Sequence, residues 1–326
     1  MPFLLLMLVS AAAVLYLWPD LALYIPSNGD PMTQAQTLRT LLAQDRCHIM
    51  PCCFDALSAR LIAQEGYELT FMSGFAASAS RIGAPDLGLM SYGEVVDQAR
   101  NITEALHIPL IADGDTGYGN AMNVRRTVTG MERAGCASVM IEDQLAPKRC
   151  GHTPGKAVVG RDEAFDRIRA AVDAREALRA SGGDILILAR TDARHEHGLA
   201  EAIARAEKFA ELGADILFVE APRNETEMRE VCSALPGPKM ANIVEGGETP
   251  DLPNAALHDI GFSIAAYPLS LMAAAMQAMV ETLRGMRGDA RPGLMDFTEL
   301  RRRIGFEDYY ETSGQYGTSK RDNSGQ

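Results

Sequence analysis

After a polar opening from Ser27 to Gln36, the chain repeats one pattern: a short apolar run, a loop rich in Gly, Pro or Asp, then a longer stretch with apolar residues three and four apart. The runs are His48 to Pro51, Leu69 to Met72, Pro109 to Ala112, Ser138 to Ile141, Ile185 to Ala189, Ile216 to Val219, Lys239 to Ile243 and Phe262 to Ala265. They lack in/out alternation, as strands do when both faces of a parallel sheet are buried. The helical spacing is clearest from Leu199 to Leu212, where Leu199, Ile203, Ala206, Phe209, Ala210 and Leu212 fall on one face. Glu65-Gly66, Ala134-Gly135 and Leu212-Gly213 each put a glycine where a left-handed cap ends a helix. Eight such units predict a closed α/β barrel of the (β/α)8 type, because an open sheet would leave edges and commonly uses fewer strands.

Changes in the pattern set the boundaries. Residues 1–26 form a hydrophobic leader or membrane anchor, 27–40 a linker, 41–286 the barrel, 287–313 a C-terminal packing or oligomerisation helix and 314–326 a polar tail expected to be disordered. Residues 2–18 are almost wholly apolar, at the short edge of a membrane span. No Lys or Arg precedes Arg39, so charge gives no orientation, and no small-x-small cleavage site follows. The segment is read as an anchor tethering an intracellular catalytic domain to a membrane, with an organellar or secretory leader and a wrongly assigned start as alternatives.

Composition narrows the class. The net charge of −12 over 326 residues argues against a nucleic-acid surface but leaves room for an anionic substrate in a cleft lined by a few Arg and Lys. The six cysteines have no disulfide-scaffold spacing and read as reduced thiols, and Cys52-Cys53 has no second pair at zinc-site distance.

Polar residues follow one run after another: Ser73-Gly74, Asp113 and Asp115, Glu142 and Asp143, Arg190 and Asp192, Glu220, Asn242 and Glu245, then Tyr267. Chemistry in such barrels gathers at the carboxyl ends of the strands. Asp113 and Asp115 alternate with Gly114, so on extended backbone they point the same way and invite a cation between them. Magnesium binds through one or two carboxylates, with waters and substrate oxygens. Glu142 is placed to support it from the next strand. Solvated loop acids and helix caps are the plainer reading of the same three residues.

Lys148-Arg149-Cys150-Gly151-His152 lies between prolines, and is expected to form a mobile loop over the barrel mouth. Neighbouring positive charge favours ionisation of Cys150, which suits it to proton transfer. An inert loop thiol is the alternative, and His152 reads equally as a loop hydrogen bond or a substrate contact. Arg190 can fork onto a carboxylate or serve a structural salt bridge. Ser73-Gly74 can hold an anion or make an ordinary turn.

SGFAAS, PDLG, ADGDTGYG, IEDQ, PKRCGH, ARTDA, FVEAP and ANIVEGGETP together resemble the isocitrate lyase/phosphoenolpyruvate mutase superfamily from about Cys47 to Arg284. The KRCGH element resembles its carbon–carbon lyase branch. The resemblance implies a barrel in a homotetramer with an exchanged helix, Mg2+ (or Mn2+) at Asp113 and Asp115 with Glu142 in support, and a closing loop with Lys148 and Cys150. It also implies substrate contacts from Ser73, Gly74, Asp86, Gly151, His152, Arg190, Glu220 and Asn242. Where 2-methylisocitrate lyases carry Thr-Glu-Phe and a later Arg, this chain has Val244-Glu245-Gly246 and Ala273. A tricarboxylate would leave one carboxylate poorly paired there, which is costly. The EGG form is similar to dicarboxylate enzymes, among them 2-alkylmalate lyases and oxaloacetate acetylhydrolase.

These readings make the chain a magnesium-dependent lyase for a 2-hydroxy or 2-oxo dicarboxylate, with Cys150, Lys148 and Glu142 as catalytic residues. The alternatives are oxaloacetate hydrolysis, cleavage of the tricarboxylate 2-methylisocitrate, and a catalytically silent barrel that binds an organic acid.

Overall fold

The computed structural model describes residues 32–148, 155–288 and 293–316. The barrel lies in one compact unit that begins at Gln34. Its strands are β1 (His48–Cys53), β2 (Thr70–Met72), β3 (Leu110–Asp113), β4 (Ser138–Glu142), β5 (Leu186–Thr191), β6 (Ile216–Val219), β7 (Met240–Asn242) and β8 (Ile264–Tyr267). All neighbouring pairs are parallel, in the order β6-β5-β4-β3-β2-β1-β8-β7. The seam between β6 and β7 is closed by a parallel bridge between Leu217 and Lys239, with Leu217 N–H donating to Pro238 O at 3.0 Å. The predicted (β/α)8 barrel is therefore present, each run lying within a few residues of its strand.

The runs lack visible alternation because both sides of each strand are apolar. Met50, Phe71, Ile111, Met140, Leu186, Leu188, Phe218 and Ile264 fill the barrel interior. Met72, Ala112, Val139, Ile141, Ile187, Ala189, Leu217 and Val219 face outward onto the helices. The helix Leu199–Glu211 buries Ala202, Ile203, Ala206 and Phe209, and Phe209 meets Phe165 edge-on at 6.1 Å. Gly66, Gly135 and Gly213 have φ of 80°, 89° and 99°, the left-handed caps their positions predicted.

The polar stretch read as a linker to residue 40 already contains structure. A helix, Gln34–Leu42, sends Ala35, Leu38 and Leu41 into the interior cluster and stoppers the amino end of the barrel. Its Arg39 pairs with Asp184 at 3.0 Å and Asp215 at 2.8 Å, just before β5 and β6. The three apolar positions are spaced three apart, too sparse beside their polar neighbours to stand out in the sequence.

The single C-terminal helix expected within 287–313 is two among the described residues. Phe297–Ile304, capped by Asp296, stops at Gly305 (φ 93°), and Phe306–Ser313 follows. Gln64 Nε2 donates to Arg303 O at 3.0 Å, so this extension rests on the helix Ala56–Gln64. The preceding helix, Ser270–Met286, exposes Met276, Met279, Leu283 and Met286. The apolar segment 2–18 and residues 317–326 of the tail lie outside the described residues. Among the described residues, no helix is long and apolar enough to cross a membrane.

Candidate active site

The carboxyl ends of the strands enclose a cavity of about 60 Å³. Ser73, Gly74, Asp86, Asp113, Glu142, Lys148, Arg190 and Asn242 line it. Phe71, Phe75, Phe218, Met240, Val244 and Leu269 supply apolar walls. The site residues expected from the sequence thus converge, except that Asp115 and Glu220 stand one contact behind the lining. Cys150, Gly151 and His152 lie outside the described residues.

The turn after β3 is sharper than extended alternation allows, which corrects that expectation. Asp115 has left the strand and sits at φ 49°, with Tyr118 at φ 60°, both left-handed. Such backbone in non-glycine residues is costly and gathers at functional sites. Gly114 makes the turn possible: its N–H donates to Met140 O at 2.9 Å, and a Cβ there would stand 2.6 Å from the same oxygen. Asp115 N–H donates to Asp113 Oδ1 at 2.9 Å, which folds the two carboxylates toward one point.

That point is held by Lys148, only 5% exposed. Its Nζ lies 2.9 Å from Asp86 Oδ1 and 3.9 Å from Asp113 Oδ2, and it also pairs with Asp115. Burial opposes its charge, but Asp115, Asp113, Asp86 and Glu142 together hold its pKa well above the lysine value. Burial pushes Asp115 up to about 7 against the pull of Lys148, with Asp113 and Asp86 adding repulsion. Gly74 leaves room for this arrangement, since a Cβ there would collide with Asp113 Oδ2 and stand 3.3 Å from Lys148 Nζ. Ser73 caps the helix Gly74–Ile82, its hydroxyl accepting from Ala76 N–H at 3.3 Å, so the turn reading accounts for that side chain.

Glu142 ends β4 and is 2% exposed. Burial raises its pKa well above the carboxylate value, although Arg190 pulls the other way. Its Oε1 has no hydrogen-bond partner among the described residues, and its Oε2 is 3.4 Å from Arg190 Nε. Arg190 stacks on Phe218 at 5.2 Å and forks onto Asp192 at 2.8 and 2.9 Å. The structural salt bridge that was its alternative reading is thus present, with Asp192 as its partner. Asn242 Nδ2 donates to Glu220 at 3.3 Å.

Among the described residues, Asp86, Asp113, Asp115, Glu142 and Glu220 outnumber Lys148 and Arg190 around this cavity. Among the described residues no three His, Cys, Asp or Glu side chains form a ready-made metal cage. Magnesium does not require one, because it keeps waters and takes substrate oxygens beside one or two carboxylates. The donor set, all oxygen, with an unpartnered buried Glu142 Oε1 behind it, therefore fits a hard divalent cation.

Cys52, Phe75, Ala266, Pro268 and Leu269 also line the cavity and were not read as site residues from the sequence. Cys52 was legible in principle, two residues from the inward-facing Met50. Val244 reaches the cavity as the EGG comparison suggested, whereas Ala273 is exposed and is not among the lining residues.

The phosphoenolpyruvate phosphomutase family matches residues 38–287. The 2,3-dimethylmalate lyase of Eubacterium barkeri is 40% identical over 294 residues, covering 89% of this chain and all of that protein. A structure of oxaloacetate acetylhydrolase with the inhibitor 3,3-difluorooxalacetate is 36% identical with a TM-score of 0.83, covering 87% of this chain and 97% of that one. Phosphonopyruvate hydrolase in complex with oxalate and Mg2+ is 29% identical with a TM-score of 0.76, covering 87% and 99%. With the barrel, the strand-end acids and these matches together, the chain belongs to the phosphoenolpyruvate mutase/isocitrate lyase superfamily and to its carbon–carbon lyases.

Proposed function

We propose that the chain is a magnesium-dependent lyase that breaks the C2–C3 bond of a 2-hydroxy dicarboxylate of the 2-alkylmalate type. The observation that carries this reading is the cavity lining, in which acids outnumber cations among the described residues and Phe75, Val244 and Leu269 add apolar surface. An acid-rich lining calls for a cation with an anionic substrate, and apolar surface accommodates alkyl substituents.

Asp113 and Asp115 would hold the magnesium, or a manganese in its place, which when bound would supply positive charge that steadies the anionic substrate. Arg190 pairs with a substrate carboxylate. Asn242, held from behind by Glu220, faces the C2 side, and Lys148 offsets the acids that surround it. The C2 hydroxyl gives its proton to Glu142, whose Oε1 has no partner among the described residues, its electron pair becomes the C2 carbonyl, and the C2–C3 pair passes to C3 as an enolate-like carbanion. Fixed charges that need no reorganisation stabilise that species. Cys150 gives its proton to C3, completing a 2-oxo acid and a saturated carboxylic acid. The exposed apolar face of Ser270–Met286 suits burial in a homotetramer.

A second reading, hydrolysis of oxaloacetate to oxalate and acetate, is favoured by the likeness to oxaloacetate acetylhydrolase. Cleavage of 2-methylisocitrate fits less well, since Lys148 and Arg190, the only cations among the described lining residues, are both already paired with acids. The test offers purified enzyme oxaloacetate and a panel of 2-substituted malates with Mg2+. A 2-oxo acid and a monocarboxylic acid in equal amounts from a 2-substituted malate support the lyase, and turnover of oxaloacetate alone, to oxalate and acetate, rejects it.

A further inference from the structure

Arg190 faces three carboxylates, and they do not hold it equally. Asp192 takes Nε at 2.8 Å and Nη2 at 2.9 Å in a planar fork, whereas Glu142 lies 3.4 Å and Glu220 3.6 Å away. Asp192 is 1% exposed and cannot shift easily. Its own N–H donates to Asp143 Oδ1 at 2.9 Å, and Asp143 is fixed in turn by Thr191 Oγ1 at 2.7 Å and Arg205 Nη1 at 3.0 Å. Lys156 Nζ, 3.6 Å from Asp192 Oδ1, balances part of its charge. The fork uses one edge of the guanidinium. Nη1, on the other edge, makes no hydrogen bond to a described residue, and Arg190 lines the cavity.

We infer that Asp192 is a positioning residue that fixes the Arg190 guanidinium with its Nη1 edge turned to a substrate carboxylate. Asp192 leaves the strand end two residues after Arg190, and does not itself line the cavity. A planar fork sets the angle of the guanidinium as well as its place, which a point charge cannot do. Without Asp192 the guanidinium would turn toward Glu142 and Glu220, which are within reach on either side. It would then offer the substrate a different edge. The inference rests on the reading of Arg190 as a carboxylate contact.

The experiment measures oxalate affinity by calorimetry on the full chain with Mg2+ present, so that it needs no turnover. Wild type is compared with Asp192→Asn, Arg190→Ala and the double variant. Asp192→Asn should weaken oxalate on the order of tenfold, the scale on which loss of an orienting partner is felt at ligand residues. Arg190→Ala should weaken it at least as much. The double variant should match Arg190→Ala, because a residue acting only through Arg190 has nothing left to orient. Wild-type affinity in Asp192→Asn, or losses that multiply in the double variant, overturn the inference while leaving the Arg190 reading intact. Wild-type affinity in Arg190→Ala rejects the reading and the inference with it. Should Asp192→Asn not yield folded protein, Asp192→Glu, which keeps the charge but displaces the fork, takes its place in the cycle, and the same outcomes support or overturn the inference.

Discussion

Lys148 Nζ stands 2.9 Å from Asp86, 62 positions earlier in the chain. One buried cation thereby ties the segment after the helix Gly74–Ile82 to the turn after β3, where it also meets Asp115. Lys148→Met removes the charge and keeps much of the stem, leaving the carboxylates to repel one another. We expect turnover to fall at least a hundredfold and stability to drop by about 3–5 kcal/mol, the cost of breaking a buried pair from one side. Denaturant unfolding beside steady-state kinetics checks both.

Removing the cation should silence the enzyme. Chelation is expected to abolish turnover, and added Mg2+ to restore it. Asp115→Asn should weaken Mg2+ binding by roughly 10- to 100-fold, as read by titration calorimetry. Unaltered affinity would move the metal away from the turn after β3.

Gly74 tests the tightness of the same corner. A methyl group there meets Asp113 Oδ2, which cannot retreat far while Lys148 and the Asp115 N–H hold its carboxylate. Gly74→Ala should lower kcat/KM by about tenfold or more, equivalent to roughly 1.4 kcal/mol of transition-state stabilisation. The melting temperature should change little by comparison, since glycine in a helix is itself unfavourable relative to alanine.

The acid limb of stability should report Glu201. Its bond from Arg161 holds its pKa down at about 2 against partial burial, with Arg205 helping at 2.8 Å. A carboxylate lowered in the folded state stabilises above its ordinary pKa, and loses that contribution as pH falls toward the folded value. The contribution of Glu201 is therefore complete above about 4.5 and fades between there and about 2. Glu201→Gln should flatten the melting temperature against pH in that window, while the slope above pH 6 stays as in wild type.

The barrel was legible because eight apolar runs, each closed by a polar residue, leave few other ways to bury both faces. The site was legible for the same reason: Asp113, Glu142 and Arg190 lie at or beside the ends of those runs. Side-chain direction was less so. Asp115 was expected to extend from Asp113, but the left-handed turn at φ 49° depends on how closely Gly114 approaches Met140, a contact between strands. The fork between Arg190 and Asp192 needs only two residues of separation, yet nothing in the local pattern says which of three acids the guanidinium prefers. The stopper helix Gln34–Leu42 was hidden because its apolar positions are few and its partners distant.

That stopper has a consequence for how the chain comes together. Arg39 closes onto residues 145 and 176 positions later. During synthesis the helix emerges before every strand of the barrel, yet its ion pairs cannot both form until Asp215, the residue before β6, has emerged. Partners so far apart pay for loop closure before any contact rewards it. A nascent chain or proteolytic fragment ending before Asp215 therefore carries Leu38 and Leu41 as exposed apolar groups, and chaperone capture should persist until β6 is made.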